Sequence, residues 1–329
     1  MSGSSQREDP DADRTDPSFH TRARFRRGVG TEGRGMTRRV TPQDGTAATP
    51  EDARAWIGRV ETREGALSPE LAGMLMCALG HAAAPQPAIH IGAPMPPLWH
   101  WAAFPEFVPL SGLGDDGHPR RGGFLPPLPF DRRMWAGGRL SFRGAFAIGE
   151  RIARRSEILG VEFKSGASGK MAFVRVGHEI KGEGGGAIRE EQDIVYLPIP
   201  DRFRPPTAIP APAAPLFVED LEAGPVRLFR YSAATFNAHR IHYDRDYARE
   251  VEKYPGLVVH GPMQATLLME AALRHAGCAP ARFSFRGVHP MFDGPLRLMA
   301  CADGPAALKL CTVGAAGHQG LQARLEWEE

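Results

Sequence analysis

The sequence of 329 residues predicts an α+β protein whose antiparallel sheets each wrap around a central helix. Three observations carry that reading. Strand-patterned runs at Leu140–Ile148, Arg151–Phe163, Lys170–Ile180 and Ala187–Leu197 follow one another across short or Gly-containing turns, as in an antiparallel meander. A helix-patterned segment from about Pro262 to Ala276 carries Leu267, Leu268, Ala271 and Ala272 among other small residues, which predicts burial on most sides. Strand-like runs near Arg282–Val288, Leu296–Asp303, Ala307–Gly314 and Gln322–Trp327 come after it. A long apolar helix ahead of such a meander implies a sheet curled around that helix.

The elements fall in order along the chain. Residues 1–49 mix Arg, Asp, Gly, Ser and Thr without hydrophobic period and read as a disordered tail. Glu8, Asp9, Asp11, Asp13 and Asp16 argue against an organelle transit peptide, and Met36 offers an alternative start. Residues 50–198 read as a first domain. Ser68-Pro69-Glu70 is a helix start, with Ser as N-cap and Pro at the first helical position, and Leu71, Met74, Leu75 and Leu79 share one face. A Pro/Gly-rich stretch from Gly92 to Gly138 reads as a long loop, of the kind that covers a site or moves. Residues 199–215 form a proline-rich linker, semi-rigid because proline fixes φ and donates no backbone bond. Residues 216–329 read as a second domain that opens with a strand near Val226–Tyr231; Pro262 suits the first turn of its helix and Gly277 the stop.

Composition excludes several function classes. A net charge of +2 makes no electrostatic case for nucleic acid. No apolar stretch approaches the roughly 20 residues of a membrane span. Cys77, Cys278, Cys301 and Cys311 show no close CxxC pairing, so reduced thiols in a cytoplasmic protein are expected.

The stretch Phe229 to Pro262 carries the chemistry. A polar cluster of Asn237, His239, His242 and Asp244 precedes an apolar run that ends at His260-Gly261-Pro262, where the helix begins. Imidazole supplies proton transfer near neutral pH. Free N–H groups at a helix N-terminus attract developing negative charge. Together they suit addition or removal of water at a carbonyl-activated double bond. His239 and His242 stand three residues apart with Asp244 near, but a metal needs three or four ligands in defined geometry, and no metal is expected. No Gly-x-Ser-x-Gly element supports nucleophilic catalysis.

These residues resemble a known family. His242-Tyr243-Asp244 and the later His260-Gly261 match the end of the Asp-x-Asn-Pro-x-His-x-Asp signature, and the His-Gly element, of MaoC-like hotdog hydratases. The run Tyr231 through Asp244, then Tyr254 through Pro262, is similar to the two-hotdog subgroup of type 2 3-hydroxyacyl-thioester dehydratases, which includes mesaconyl-C4-CoA hydratases. Trp99-His100, Gly117-His118-Pro119 and Arg133-Met134-Trp135-Ala136-Gly137-Gly138 extend the likeness to the first half. One departure stands out. Asn237 occupies the position of the usual catalytic Asp, and His239 that of the usual Asn. An amide orients water but exchanges no proton at neutral pH.

The resemblance implies a double hotdog and reversible hydration of a 2-enoyl thioester to a 3-hydroxyacyl thioester, with mesaconyl-C4-CoA to citramalyl-CoA as a candidate reaction. It implies His242 as the base, Gly261 as the oxyanion donor and Asn237 as the holder of water. His239, Asp244 and His260 are supporting residues; Arg286, Tyr231, Pro262 and Trp99 are candidates for substrate binding. No cofactor is expected, an acyl-CoA is the expected partner, and a homodimer is an open possibility. The alternatives are a non-catalytic acyl-CoA binding or regulatory protein, suggested by Asn237, and a hotdog acyl-CoA thioesterase.

Overall fold

The structure, a computed structural model, describes residues 49–80, 87–166 and 169–328. The tail expected over residues 1–49 lies outside them, apart from Thr49. That residue caps α1 (Pro50–Arg54): its hydroxyl accepts from Asp52 N–H while the Asp52 carboxylate accepts from Thr49 N–H, a closed capping box. Then come β1 (Val60–Gly65), α2 (Pro69–Leu79), β2 (Arg132–Arg143), β3 (Ile152–Gly166), β4 (Gly169–Gly182) and β5 (Ala187–Leu197). These five strands lie in the antiparallel order β1-β3-β4-β5-β2. Ser68 starts α2 as expected, its side chain accepting from Leu71 N–H at 3.2 Å.

The rest of the chain repeats the plan. β6 (Phe217–Glu222) is followed by α3 (Pro225–Ala234), α4 (Gly261–Ala276), β7 (Arg282–Gly287), β8 (Pro295–Ala302), β9 (Ala307–Gly314) and β10 (Gln319–Glu326). Their strand order is β6-β8-β9-β10-β7, the first order repeated one for one. The two sets meet through β2 and β7, which pair antiparallel with Gly137 opposite Arg286 and Ser141 opposite Arg282. The expected sheets are thus one continuous sheet of 10 strands. Gly137 and Gly138 allow the join. A Cβ on Gly137 would stand 2.5 Å from the Phe285 carbonyl, and one on Gly138 would stand 3.1 Å from the Phe285 ring.

The strand expected near Val226–Tyr231 is instead part of helix α3. Val226-Arg227-Leu228 alternates like a strand over a short window, but the buried residues Leu228, Tyr231 and Ser232 are spaced three and four apart. Gly224-Pro225 opens this helix as Gly261-Pro262 opens α4. Arg227 fixes α3 against α2 by donating to the carbonyls of Ala78 and Leu79 at the C-terminal end of α2, at 2.9 and 3.1 Å. The first meander strand also differs. It begins at Arg132, inside the stretch read as loop, and ends at Arg143, where Gly144 turns the chain at φ 67°. The proline-rich segment is pinned to the β9–β10 turn by Ala211 N–H to Gly317 O and by Gln319 N–H to Ile209 O.

Helix α4 packs against β8, β9, β10 and β2. Met263, Ala265, Leu268, Met269, Ala271 and Ala272 on it are sealed from solvent. Each fully buried Leu or Met contributes about 1.5–3 kcal/mol, so the core is anchored at the helix whose first residue is Gly261. Gly137→Ala is expected to lower stability by about 1–3 kcal/mol through overpacking of the β2–β7 join; urea unfolding should show a lower midpoint with an unchanged slope.

Candidate active site

The polar loop is built from its own ends. After α3, Phe236 takes a left-handed conformation at φ 52° and reverses the chain. Asp244 braces the far end, as one oxygen accepts from Tyr247 N–H at 3.0 Å and the other from Arg240 Nη2 at 2.7 Å. Asn237 Oδ1 accepts from His239 N–H at 2.9 Å, an Asx turn. The first half of the chain supports the loop from outside. Arg240 N–H donates to Asp116 O, and Gly117 presses so close to Ala238 O that a Cβ there would stand 1.9 Å away.

His242 follows on a single 3₁₀ turn, Arg240–His242. Its Nδ1–H donates to the Val258 carbonyl at 2.7 Å, while Val258 N–H donates back to Ile241 O. That bond fixes the tautomer and leaves the Nε2 lone pair free. His242 is 7% exposed, and Nε2 is not among the sealed, unpartnered atoms of the described residues. Burial first, then the adjacent His260 and His239, holds the His242 imidazole well below its usual titration range; the Val258 bond acts the other way. It is neutral at pH 7 and therefore able to accept a proton.

The helix start lies directly beside that ring. His260, the N-cap of α4, stacks on His242 with centroids 3.6 Å apart and planes at 19°. His260 Nε2 pairs with Ser232 Oγ at 2.8 Å, so α3 sets its orientation, and the Tyr231 ring meets it edge-on at 4.9 Å. No side chain caps α4, Pro262 has no N–H, and none of the described residues accepts from Gly261 N–H. A Cβ built on Gly261 would meet only the Trp135 carbonyl, at 3.8 Å, so the helix start has room beside it. Behind it, Gln264 ties the strand to the sheet by donating to Val259 O and accepting from Thr312 Oγ1 at 2.6 Å.

A second imidazole faces the first. His239 lies 5.3 Å from His242, ring planes at 89°, and meets the His118 ring at 4.1 Å with planes tilted by 40°. His118 Nδ1 is bonded to Asp116 at 2.9 Å. Asp116, His118 and His239 bring ligand-type atoms within 4.8 Å of one another, but the bond between Asp116 and His118 occupies one atom of each. A groove of 510 Å³ reaches this cluster from the surface, lined by His118, Ser232 and Asn237 and walled by Phe104, Leu113 and Phe236.

The structure thus brings together His242, His239, His260, Asn237, Gly261, Pro262 and Tyr231. Two residues read from the sequence stand elsewhere. Trp99 is sealed in the core and donates from Nε1 to Glu270 on α4 at 2.8 Å. Arg286 is exposed, bonds Gln322, and lines a groove of 1020 Å³ over the β2–β7 join. Sequence reasoning did not single out Ser232, Gln264, Asp116, Arg132 or Glu252. Ser232 lies one turn before the motif on a helix misread as a strand. Glu252 sits in Arg249-Glu250-Val251-Glu252-Lys253, where nothing local tells which carboxylate turns inward.

Comparison with known proteins places the chain among relatives. Residues 98–293 match the family of hydroxyacyl-thioester dehydratases type 2. The chain belongs to this family. It is 44% identical over 283 residues to the mesaconyl-C(4)-CoA hydratase of Chloroflexus aurantiacus, covering 84% of this chain and 98% of that protein. It is 27% identical to the mitochondrial hydroxyacyl-thioester dehydratase type 2 of Schizosaccharomyces pombe, over 63% of this chain and 78% of that one. A MaoC-like dehydratase from Phytophthora capsici superposes with a TM-score of 0.62 at 11% identity, covering 84% of this chain and 97% of that one. A double-hotdog protein from Mycobacterium tuberculosis gives 0.50 at 16% identity, covering 82% and 95%. The fold is a double hotdog, and the chain is a carbon–oxygen lyase of enoyl thioesters.

The buried imidazoles make stability depend on acid. Burial, and secondarily His239, lowers His260 to about 3, against roughly 6.5 in an unfolded chain. Above the unfolded value neither state binds the proton. Below it the unfolded state takes up protons that folded His260 and His242 refuse, so stability falls as pH falls. The melting temperature should therefore drop from about pH 6.5 downward, most steeply between 6.5 and the lowered values. Differential scanning fluorimetry across pH 4.5–8, at constant ionic strength, checks this.

Proposed function

We propose that this protein adds water reversibly to a 2-enoyl-CoA whose acyl group bears a free carboxylate, converting mesaconyl-C4-CoA to citramalyl-CoA. The observation that carries the mechanism is the stack of His242 on His260, which sets a neutral, tautomer-fixed imidazole against an uncapped helix start. The identity of the acyl group rests on the likeness to the Chloroflexus hydratase.

In this reading the thioester carbonyl accepts from Gly261 N–H. Attack at the β-carbon pushes charge onto that oxygen, where the helix N-terminus stabilises it; one such donor is worth about 3 kcal/mol in other enzymes. His242 Nε2 takes the proton of the attacking water. Asn237 has its Oδ1 engaged in the Asx turn, so its Nδ2–H is the group left to donate to that water. Asp244 and His260 hold the loop and the helix start, and Tyr231 and Pro262 shape the wall. Trp99 supports the site through α4, and Arg286 offers a cation to the CoA phosphates over the sheet. Each five-stranded set with its helix, 50–198 and 216–329, acts as one hotdog unit joined by 199–215. The four cysteines are free thiols, which favours the cytoplasm, and assembly into a homodimer is readable by light scattering.

A panel of enoyl-CoAs including crotonyl-CoA and mesaconyl-C4-CoA tests the reading, followed by loss of enoyl absorbance and product mass. Water addition to mesaconyl-C4-CoA is expected, without release of free CoA thiol. His242→Ala, folded by circular dichroism, should lose about 100-fold or more in kcat. Full activity in that variant, or an inert wild type that only binds acyl-CoA, would overturn the proposal.

A further inference from the structure

The hydratase reading leaves one proton unassigned. Hydration moves a proton from water to a base and places another on the α-carbon. The carboxylate of the MaoC-like hydratase signature is absent, because residue 237 is an amide. The structure holds a different carboxylate nearby. Glu252 is 1% exposed, and its Oε2 accepts from Arg132 Nε at 2.6 Å. Arg132 also donates to the Glu252 backbone carbonyl and lies over the Tyr254 ring at 4.5 Å, so this side chain is fixed from three sides. The other oxygen, Oε1, faces His239 Nε2 at 3.9 Å. Both atoms are sealed from solvent and neither has a hydrogen-bond partner among the described residues.

Two sealed polar atoms without partners, aimed at each other, each carry a desolvation cost that a bond between them would remove. Catalytic hydrogen bonds are commonly long before substrate binds and shorten in the complex. We propose that His239 is the second proton-transfer group of this site, with Glu252 as its positioning residue and Arg132 as the anchor of Glu252. The His239–Glu252 pair then does the work that the aspartate of the MaoC-like signature does at the position of residue 237.

The two imidazoles are placed alike but face different partners. Each has one nitrogen turned into the protein and one left for a ligand. His242 is tied by Nδ1 to a neutral carbonyl. His239 faces a carboxylate with Nε2, and its Nδ1 is not among the sealed, unpartnered atoms of the described residues. A carbonyl partner suits a neutral ring that accepts a proton; a carboxylate is an acceptor for Nε2–H and leaves Nδ1 as the nitrogen that can face a ligand. In hydration a water oxygen bonds to the β-carbon while His242 Nε2 takes one water proton. The π pair of the C=C bond moves onto the α-carbon and the thioester oxygen, giving an enolate at Gly261. His239 Nδ1–H then donates its proton to the α-carbon as the carbonyl re-forms. His242 has gained one proton and His239 has lost one, and bulk water exchanges them to reset the pair. Dehydration runs the same path backward. Arg132 comes from β2, so the first half of the chain contributes to the chemistry of the second.

This rests on the hydratase reading, and the test separates the two. If wild type hydrates no enoyl-CoA, the reading of the reaction fails. If it does, His239→Gln and Glu252→Gln are measured on the substrate that it turns over. His239→Gln should lower kcat by about 100-fold or more, and Glu252→Gln by about 10-fold or more. KM should stay within a few-fold in both. In dehydration of α-deuterated 3-hydroxyacyl-CoA, the isotope effect on kcat should rise above wild type, because α-proton transfer is the impaired step. His239→Gln leaves the Arg132–Glu252 pair intact and carries the test if Glu252→Gln does not fold. The double variant Asn237→Asp, His239→Asn, which installs the usual pair of the MaoC-like signature, should regain activity over His239→Asn alone. Folded His239→Gln with kcat within twofold of wild type, or with the loss confined to KM and no change in isotope effect, would overturn the assignment.

Discussion

One hydrogen bond, His242 Nδ1–H to Val258 O, organises the site. It joins the polar loop after α3 to the strand-like segment that feeds α4, and Val258 N–H returns the bond to Ile241 O. Without it the imidazole would be free to choose either tautomer and either face. With it, the ring is held flat on His260, and His260 is the last residue before the helix. Val258 and Val259 are buried, so water does not compete for these carbonyls. The same segment is fixed from behind by Gln264 and by Val259 N–H to Met291 O. Position, tautomer and access to the helix N-terminus therefore follow from a few bonds around three consecutive residues.

The repeated strand order places α2 and α4 in equivalent positions, each between the first and second strands of its set. Their N-termini differ. Ser68 closes the start of α2 with its hydroxyl, whereas His260 offers α4 no side-chain bond. A capped helix has spent its donor at home, while an uncapped one must find an acceptor elsewhere. The second half therefore keeps an uncapped helix start, and the first half supplies loops and charges such as Gly117 and Arg132. Division of labour within one fold arises here from a single cap residue.

Much of this was legible in the sequence. Buried helix α4 and seven of the eight meander strands read correctly because their periods are long and their turns contain glycine or short polar runs. The misread elements differ in cause. In Val226–Tyr231 a short apolar alternation imitated a strand, and only the Gly-Pro start and the three-four spacing of Leu228, Tyr231 and Ser232 pointed to a helix. β2 was expected too late, because Arg132-Arg133 looks like surface until Glu252 is seen to neutralise one of the two. The continuous sheet was not legible at all, since β2 and β7 pair across more than a hundred residues of sequence. For the same reason motif reading found the histidines but not the carboxylate that faces His239.

The β2–β7 join has a further consequence. Because one polypeptide supplies both five-stranded sets, their association is intramolecular and obeys no mass action. A site completed by residues from separate subunits empties as protein is diluted; this one keeps Arg132 beside Glu252 at any concentration. Covalent linkage also lets the two sets diverge independently, because a change in one is no longer copied into the other.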